Sequence, residues 1–216
     1  MPNFKSLKDF VYDYISEQIS KGDLEPNEKI YENNICKELN ISRTPVREAM
    51  IQLATEGYIE SIPRRGFVVR KLDEKEAEDI YEILGILDGF VARQVCGELT
   101  EKDFSDMDFY IGSMDLATKA ENYDMYYKQQ EQFHDTYISK SSNESLKQMI
   151  YQVKKKFLKR SYGIPKGVST EKTLLDTNAE HREMLELFKK GDAIGIETYL
   201  REVHWENSKA FMETIK

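Results

Sequence analysis

The sequence predicts a mainly α-helical protein: an N-terminal winged helix-turn-helix with a β-hairpin wing, followed by an all-helical bundle. Three observations support this fold class. Apolar residues recur at spacings of three and four over most of the chain, as along one face of a helix. Only "YIESIPRRGFVVRKL" (58–72) is rich in β-branched and aromatic residues around a turn. Beyond Asp73, prolines and glycines cluster only around "YGIPKG" (162–167). We therefore divide the chain into residues 1–72 and 73–216.

The first region is predicted to begin with two helices. Residues 7–20 place apolar side chains on one face, and Gly22 suits the left-handed conformation that ends many helices. "LEPNEK" (24–29) then predicts a turn. The second helix is predicted over residues 33–39, and Asn40 can supply the left-handed residue that ends it.

A third helix is predicted to begin at Ser42 or Thr44. Under either start Pro45 lies in the first turn, where its missing backbone N–H costs nothing. The hairpin follows Gly57, so the order of helices and strands is that of a winged helix-turn-helix. The buried face of the third helix should carry the apolar residues at i, i+3, i+4 and i+7, namely Val46, Ala49, Met50 and Leu53.

The second region predicts helices only. The segment "KKGD" (189–192) combines a helix end with a helix start. One apolar stripe is formed by Ile80, Ile83, Leu84, Leu87, Val91 and Val95. Similar periodicity predicts helices over residues 104–116, 123–138, 146–158, 174–188 and 194–211.

Composition and charge narrow the class of protein. A hydrophobic content of 40% and a charged content of 32% are typical of a globular protein. We find no apolar run that could span a bilayer and no N-terminal signal core, and Cys36 and Cys96 lack paired spacing, so we expect a cytoplasmic protein without a disulfide framework. The net charge of −8 lies entirely in residues 73–216, because basic and acidic residues are equal in number in residues 1–72. A local basic surface there can still meet DNA.

The start of the third helix carries the signal for DNA binding. Arginines near a helix N-terminus oppose the helix dipole, at a cost of a few tenths to about 1 kcal/mol. Contact with phosphates can outweigh that cost, and arginine also reads guanine in the major groove. The predicted contacts are Ser42, Arg43, Thr44 and Arg47 on the helix, with Arg64 and Arg65 on the hairpin tip. On the pattern alone, a small helical domain with solvated arginines remains the alternative.

The segment "ISRTPVREAMIQLATEGYIESIPRRGFVV" (41–69) resembles the N-terminal domain of bacterial transcription regulators of the GntR family. "ISEQISKGDLEPNEKI" (15–30) resembles the opening helix and turn of that family, so the resemblance covers residues 6–70. One departure is Asn33, where some relatives carry an arginine that touches DNA. The resemblance implies that operator DNA is contacted by Ser42, Arg43, Thr44, Arg47, Arg64, Arg65 and Gly66.

The second region resembles the FCD ligand-binding domain of the FadR-like subgroup. The resemblance rests on the three histidines of the chain, in "QEQFHDTY", "AEHREML" and "LREVHWEN". In the subgroup such histidines bind a divalent metal inside a helical bundle, so the resemblance implies a zinc or nickel site formed by His134, His181 and His204. Gln130 stands where most such members carry an aspartate, and a neutral amide is the weaker ligand.

A second departure concerns the effector. Subgroup members that bind carboxylates often carry an arginine on the first helix of this domain, at the position of Leu84 in "YEILGILDG". The basic run "KKKFLKR" (154–160) offers a replacement cation, for which we name Arg160 as the effector-binding candidate. For the lysines of this run a solvated helix face is the simpler interpretation.

The sequence therefore predicts a bacterial transcription regulator rather than an enzyme. We expect a homodimer that binds an inverted-repeat operator, because one winged helix reads one half-site. A small-molecule effector would shift the spacing of the two DNA-binding domains. Two alternatives stay open: a constitutive DNA-binding protein whose helical domain only dimerises, and a metal-dependent hydrolase built on the three histidines. Against the hydrolase, we find no HExxH, GxSxG or phosphate-loop motif.

Overall fold

The computed structural model describes residues 5–64, 66–156 and 169–213. The chain forms two compact units, and the division along the sequence falls between Leu72 and Asp73. In the part that is described, none of the helices has the length and hydrophobicity that crossing a membrane requires.

The first unit has three helices followed by a β-hairpin, as predicted, with one further short strand between the first two helices. A capping box formed by Ser6 and Asp9 starts the first helix, and Gly22 ends it in the left-handed conformation with φ of +80°. Asn40 ends the second helix in the same conformation with φ of +53°. The elements are α1 (Leu7–Lys21), β1 (Lys29–Ile30), α2 (Glu32–Leu39), α3 (Arg43–Thr55), β2 (Ile59–Ile62) and β3 (Gly66–Val69).

The core of the first unit lies between α1 and α3. The face of α3 predicted to be inward is buried: Val46, Ala49, Met50 and Leu53 are each 0% exposed. They pack with α1 residues Val11, Ile15 and Ile19 and with apolar side chains from the strands. This packing fixes which side of α3 faces solvent, and the residues of the opposite face, such as Arg47 and Ile51, are exposed.

The sheet has the antiparallel order β1-β3-β2. The predicted hairpin is confirmed, with Ile59 opposite Val69 and Ile62 opposite Gly66. The sequence prediction missed β1, which pairs Ile30 with Phe67. The strand has only two residues, which are too few to show an alternation of apolar and polar side chains, so the sequence pattern does not predict it.

The second unit contains helices and no strand among its described residues. Side chains of Asp73, Thr100, Asn122, Ser169 and Asp192 accept hydrogen bonds from backbone N–H groups at the starts of five helices. The helices are α4 (Glu74–Val95), α5 (Glu101–Lys119), α6 (Tyr123–Ile138), α7 (Glu144–Lys155), α8 (Thr170–Lys190) and α9 (Ala193–Tyr199). Short 3₁₀ turns lie at Cys96–Glu98 and Asn207–Glu213.

Two predictions for this unit were wrong. The helix expected over residues 194–211 is not continuous: α9 passes into a π-helical turn, Leu200–His204, and then breaks before the last 3₁₀ turn. In the α4 stripe Ile83 points outward and is 43% exposed, because Ala77, Tyr81 and Asp88 help to form the buried face instead. Periodicity identified α4 correctly but assigned one residue to the wrong side.

Two glycines let α4 approach the last helical segment closely. A Cβ atom at Gly89 would lie 3.0 Å from the carbonyl oxygen of Glu197, and one at Gly85 would lie 3.3 Å from Cα of Arg201. Both neighbours are backbone atoms, so a side chain at either glycine would push the helices apart. The close approach brings the π-helical turn and Trp205 against the buried face of α4.

Candidate functional site

The N-terminal turn of α3 presents the predicted DNA-contacting residues to solvent. Ser42 is the N-cap, and its side chain makes no capping hydrogen bond. Arg43, Thr44 and Arg47 are exposed, as predicted, while Val46 between them is buried. The hydroxyl groups and the first backbone N–H groups of α3 therefore face outward together, a set of donors suited to phosphate.

Arg47 extends from this turn and makes only a long ionic contact among the described residues. Its side chain is 68% exposed, and its Nε lies 3.8 Å from Oε1 of Glu32. The first turn of α3 contains no acidic residue. An exposed pair at that distance holds an arginine weakly, so Arg47 can reach an approaching polyanion with little competition.

The tip of the wing carries further predicted residues. Arg64 is exposed and takes the left-handed conformation with φ of +65°, and Gly66 follows with φ of +85°. A glycine is favoured at the second of these positions because a side chain there would be strained. Arg65 and Arg160 lie outside the described residues.

The structure brings the three predicted histidines together in the second unit. His134 comes from α6, His181 from α8 and His204 from the π-helical turn, with exposures of 2%, 0% and 5%. One ring nitrogen of each lies within 4.8 Å of those of the other two. The ring centroids are 4.9–5.4 Å apart. Three helices thus converge on one buried point.

The two nitrogens of each ring have different surroundings. His134 Nδ1 lies 2.7 Å from the hydroxyl of Tyr137, His181 Nδ1 lies 3.3 Å from Oδ1 of Asn178, and His204 Nδ1 lies 3.0 Å from Oε2 of Glu180. By contrast, Nε2 of His134 and Nε2 of His181 are buried without a hydrogen-bond partner among the described residues. Buried polar atoms are usually paired, so these two nitrogens are available to a further partner.

A buried carboxylate joins this cluster from α4. Asp88 is 0% exposed and accepts hydrogen bonds from the Tyr137 hydroxyl at 2.7 Å and from the Trp205 indole N–H at 2.9 Å. Its Oδ2 also lies 3.3 Å from His134 Nδ1 and 3.8 Å from the ammonium of Lys154. Lys154 in turn lies 5.5 Å from the ring centroid of Trp205.

Burial and charge set the protonation states in the cluster. Burial lowers the pKa of His134 to about 3, with Lys154 adding to the effect against the opposing influence of Asp88. Burial likewise holds the pKa of His181 well below its usual value. Burial opposes ionisation of Asp88, but Lys154, His134 and Tyr137 together hold its pKa below the usual range. These two imidazoles are therefore neutral near pH 7, the form that binds metal ions.

The residues at which the sequence departs from the FadR-like subgroup are placed as follows. Gln130 is half-buried on α6, one helical turn before His134. Leu84 is fully buried in the stripe of α4. Of the basic run, Lys154 lies at the end of α7 beside Asp88 and is 23% exposed, which differs from the solvated position expected for it.

The sequence prediction missed the polar residues that surround the histidines. Asp88 could have been noticed, since it interrupts the buried stripe of α4 between two glycines. Glu180 is adjacent to His181 in sequence but contacts His204, a contact that no spacing announces. The remaining missed residues are Tyr137, Lys154, Asn178 and Trp205.

Comparison with known families accounts for both units. Residues 7–69 match the family described as "Bacterial regulatory proteins, gntR family", and residues 79–204 match the FCD domain. The Nta operon transcriptional regulator of Aminobacter aminovorans is 31% identical over 121 residues, which are 56% of this chain and 57% of that protein. The gluconate operon transcriptional repressor of Bacillus subtilis (strain 168) is 34% identical over 134 residues, 62% of this chain and 54% of that protein.

The chain thus spans little more than half the length of these two relatives in the aligned segments. Among solved structures, E. coli McbR/YncC has the same fold, with a TM-score of 0.77 over 96% of this chain and 98% of that one. Its sequence identity of 20% supports the fold alone.

Proposed function

Since the chain belongs to the GntR family of bacterial regulatory proteins and carries an FCD domain, we propose that it is a transcription regulator whose DNA binding is controlled by a small molecule. Residues 1–72 bind operator DNA, and residues 73–216 bind the effector and form the dimer. Effector and operator are coupled through a free energy of about 1–3 kcal/mol. The family consists of regulators, so no catalytic activity is included in this proposal.

The exposed N-terminal turn of α3 supports the proposal that residues 1–72 bind DNA. It combines Ser42, Arg43, Thr44 and Arg47 on the face opposite a fully buried apolar stripe. A recognition helix reads base edges with such an end, and the wing residues Arg64, Arg65 and Gly66 would lie along the flanking backbone.

Replacement of one arginine tests this part. Arg47→Ala should leave the fold intact and weaken operator binding by about 1–3 kcal/mol if the side chain contacts a base. Lys21→Ala, which removes one positive charge at the end of α1, serves as the control and should change the affinity less. Both are measured by gel-shift titration at one salt concentration, on an operator selected from random DNA. Equal affinities for Arg47→Ala and the wild type would refute the assignment of α3.

The dimer follows from the way such domains read DNA. One winged helix reads one half-site, so a two-fold dimer fits an inverted repeat. In the second unit, large apolar side chains are exposed on α4 and α5, where a second copy would cover them. They are Ile83, Ile86 and Phe90 on α4, and Phe109 and Leu116 on α5. Sedimentation of the free protein and footprinting of the operator test this arrangement.

The three histidines fit a divalent metal ion such as zinc or nickel. The reason is the pair of orphaned Nε2 atoms of His134 and His181, two neutral rings within one buried cluster. When bound, the ion would supply a Lewis-acidic position to which an effector oxygen can bind. His204 completes the set, and the amide oxygen of Gln130 is a candidate further ligand.

Metal content and thermal stability test the metal site. Added zinc or nickel should raise the melting temperature of the wild type, because a ligand that binds only the folded protein stabilises it. His181→Ala should lower the metal content found by elemental analysis and abolish the shift. A melting curve that neither metal moves would refute the metal site, and the histidines would then hydrogen-bond an organic effector directly.

A further inference from the structure

We propose that Asp88 is a positioning residue for the three-histidine site: through the hydroxyl of Tyr137 it holds His134 in the tautomer with hydrogen on Nδ1, which leaves the Nε2 lone pair directed into the cluster. The role of this tautomer in metal binding rests on the metal site proposed above. The geometry that supports it does not depend on a bound ion.

The direction of the hydrogen bonds follows from the donors available. The Tyr137 hydroxyl donates its single proton to Oδ1 of Asp88, at 2.7 Å, and the Trp205 indole N–H donates to Oδ2, at 2.9 Å, so both oxygens of this carboxyl group act as acceptors. The phenol oxygen then has only lone pairs to offer to His134 Nδ1, 2.7 Å away. Asp88 Oδ2, 3.3 Å from the same nitrogen, is a second acceptor. Both neighbours of Nδ1 are therefore acceptors, and the hydrogen of the neutral ring must be on Nδ1.

In the other two rings, too, Nδ1 lies beside a hydrogen-bond acceptor. Asn178 directs its NH₂ group to Ile111 O at 2.9 Å and to Asp115 Oδ1 at 2.7 Å, so its Oδ1 faces His181 Nδ1 as an acceptor. Glu180 places a carboxylate oxygen against His204 Nδ1. An acceptor thus lies at Nδ1 of each of the three rings. At His134 and His181 this selects the tautomer that leaves Nε2 without a hydrogen.

Asp88 is placed as a support rather than as a metal ligand. Its two oxygens lie on the Nδ1 side of His134 and are occupied by Tyr137 and Trp205. Lys154 balances its charge. A carboxylate that hydrogen-bonds the far nitrogen of a ligating histidine orients the ring and strengthens it as a donor, and removal of such a partner typically reduces metal affinity 10–100-fold.

This arrangement also bears on Gln130. Where the subgroup's aspartate would bring a carboxylate to the metal, this chain has an amide. Asp88 and Glu180 instead contact the Nδ1 atoms of His134 and His204. Both carboxylates of this site therefore contact the imidazoles on their Nδ1 side, away from the Nε2 atoms.

The tautomer can be measured without any metal. In full-length, ¹⁵N-labelled protein treated with a chelator, ring ¹⁵N chemical shifts should identify His134 as the Nδ1–H tautomer. Asp88→Asn places an N–H donor near Nδ1 and should shift His134 toward the Nε2–H form, with a 10–100-fold loss of zinc affinity. Tyr137→Phe should cause a smaller loss, because Asp88 Oδ2 remains beside Nδ1. Tyr126→Phe, another buried phenol of the same unit, is the control and should change neither result.

The outcomes separate this inference from the proposed metal site. An Nε2–H tautomer of His134 in the metal-free wild type would overturn it, as would zinc binding by Asp88→Asn with wild-type affinity. If zinc binds to no variant, the metal site fails, and the ¹⁵N shifts still decide whether Asp88 sets the tautomer. If Asp88→Asn does not fold, Tyr137→Phe supplies the test: a tautomer and zinc affinity that both equal those of Tyr126→Phe would overturn the inference.

Discussion

The close approach of α4 to α9 at Gly89 gives a prediction that can be worked out from the structure. In Gly89→Ala the new Cβ would lie 3.0 Å from the carbonyl oxygen of Glu197 and 3.6 Å from its Cα. A backbone carbonyl in a helix cannot rotate away as a flexible side chain can. Overpacking of this kind typically costs about 1–3 kcal/mol.

Alanine also favours a helix over glycine, by about 0.5–1 kcal/mol. Gly112→Ala isolates that contribution, because Gly112 lies within α5 and a Cβ there would meet nothing within 4 Å. Gly112→Ala should therefore stabilise the unit by about 0.5–1 kcal/mol, whereas Gly89→Ala should destabilise it. The difference between the two variants measures the steric cost alone.

Trp205 provides the assay. It is the single tryptophan of the chain, and it is buried with its indole N–H hydrogen-bonded to Asp88. Its fluorescence therefore reports the unfolding of the second unit in urea. We expect the midpoint to fall in Gly89→Ala and to rise in Gly112→Ala. If both substitutions raise the midpoint equally, α4 and α9 do not approach each other as described.

Two further predictions concern stability. Met50 is fully buried in the first unit, so Met50→Ala should lower the free energy of unfolding by about 2–5 kcal/mol. Glu48 is exposed on the same helix, and Glu48→Ala should stay within about 0.5 kcal/mol of the wild type. Far-ultraviolet circular dichroism during urea unfolding measures both. Hydrogen bonds from Thr100 and Lys140 outweigh burial and lower the pKa of Asp103 to about 2. Because that pKa is depressed in the folded protein, the carboxylate contributes stability of at most about 2 kcal/mol, reduced by solvent screening, which is present above pH 4 and is lost as the pH falls toward 2. Asp103→Asn should flatten the acid limb of the stability curve, and an unchanged limb would contradict this account.

Periodicity was sufficient for most of the fold. The inward face of α3 and the bounds of α6 follow directly from the spacing of apolar residues, and the β2–β3 hairpin follows from its turn and β-branched residues. Periodicity fails where a neighbour decides the outcome. The strand Lys29–Ile30 forms because its backbone hydrogen-bonds to β3. The helix after Tyr199 changes to π geometry where it packs against α4.

The candidate site was only partly accessible from the sequence. The three histidines are 23 to 70 residues apart in the chain, so their spacing could not indicate a shared site, and the resemblance to FCD domains supplied that expectation. Their hydrogen-bond partners depend on side chains that meet across helices. Such contacts as Tyr137 with Asp88 link residues 49 positions apart, and no local pattern encodes them.

The charge around the histidines gives the last prediction, for Gln130→Asp. Both carboxylates behind the rings are already paired with cations, Asp88 with Lys154 and Glu180 with Lys209. They orient the imidazoles but contribute little net negative charge to a bound divalent ion. An aspartate at position 130 would add a charge on the helix face of His134. Its attraction for a divalent ion 4 Å away is at most about 8 kcal/mol at an effective dielectric constant near 20, twice the value for two unit charges.

Because aspartate is shorter than glutamine, part of that ceiling is lost in reaching the site. We still expect Gln130→Asp to bind zinc more tightly in a competition titration with a chelator. Gln130→Asn has the same length without the charge and is the matched control. If the two variants bind zinc equally well, charge at this position does not govern the site, and only the geometry set by Asp88, Asn178 and Glu180 does.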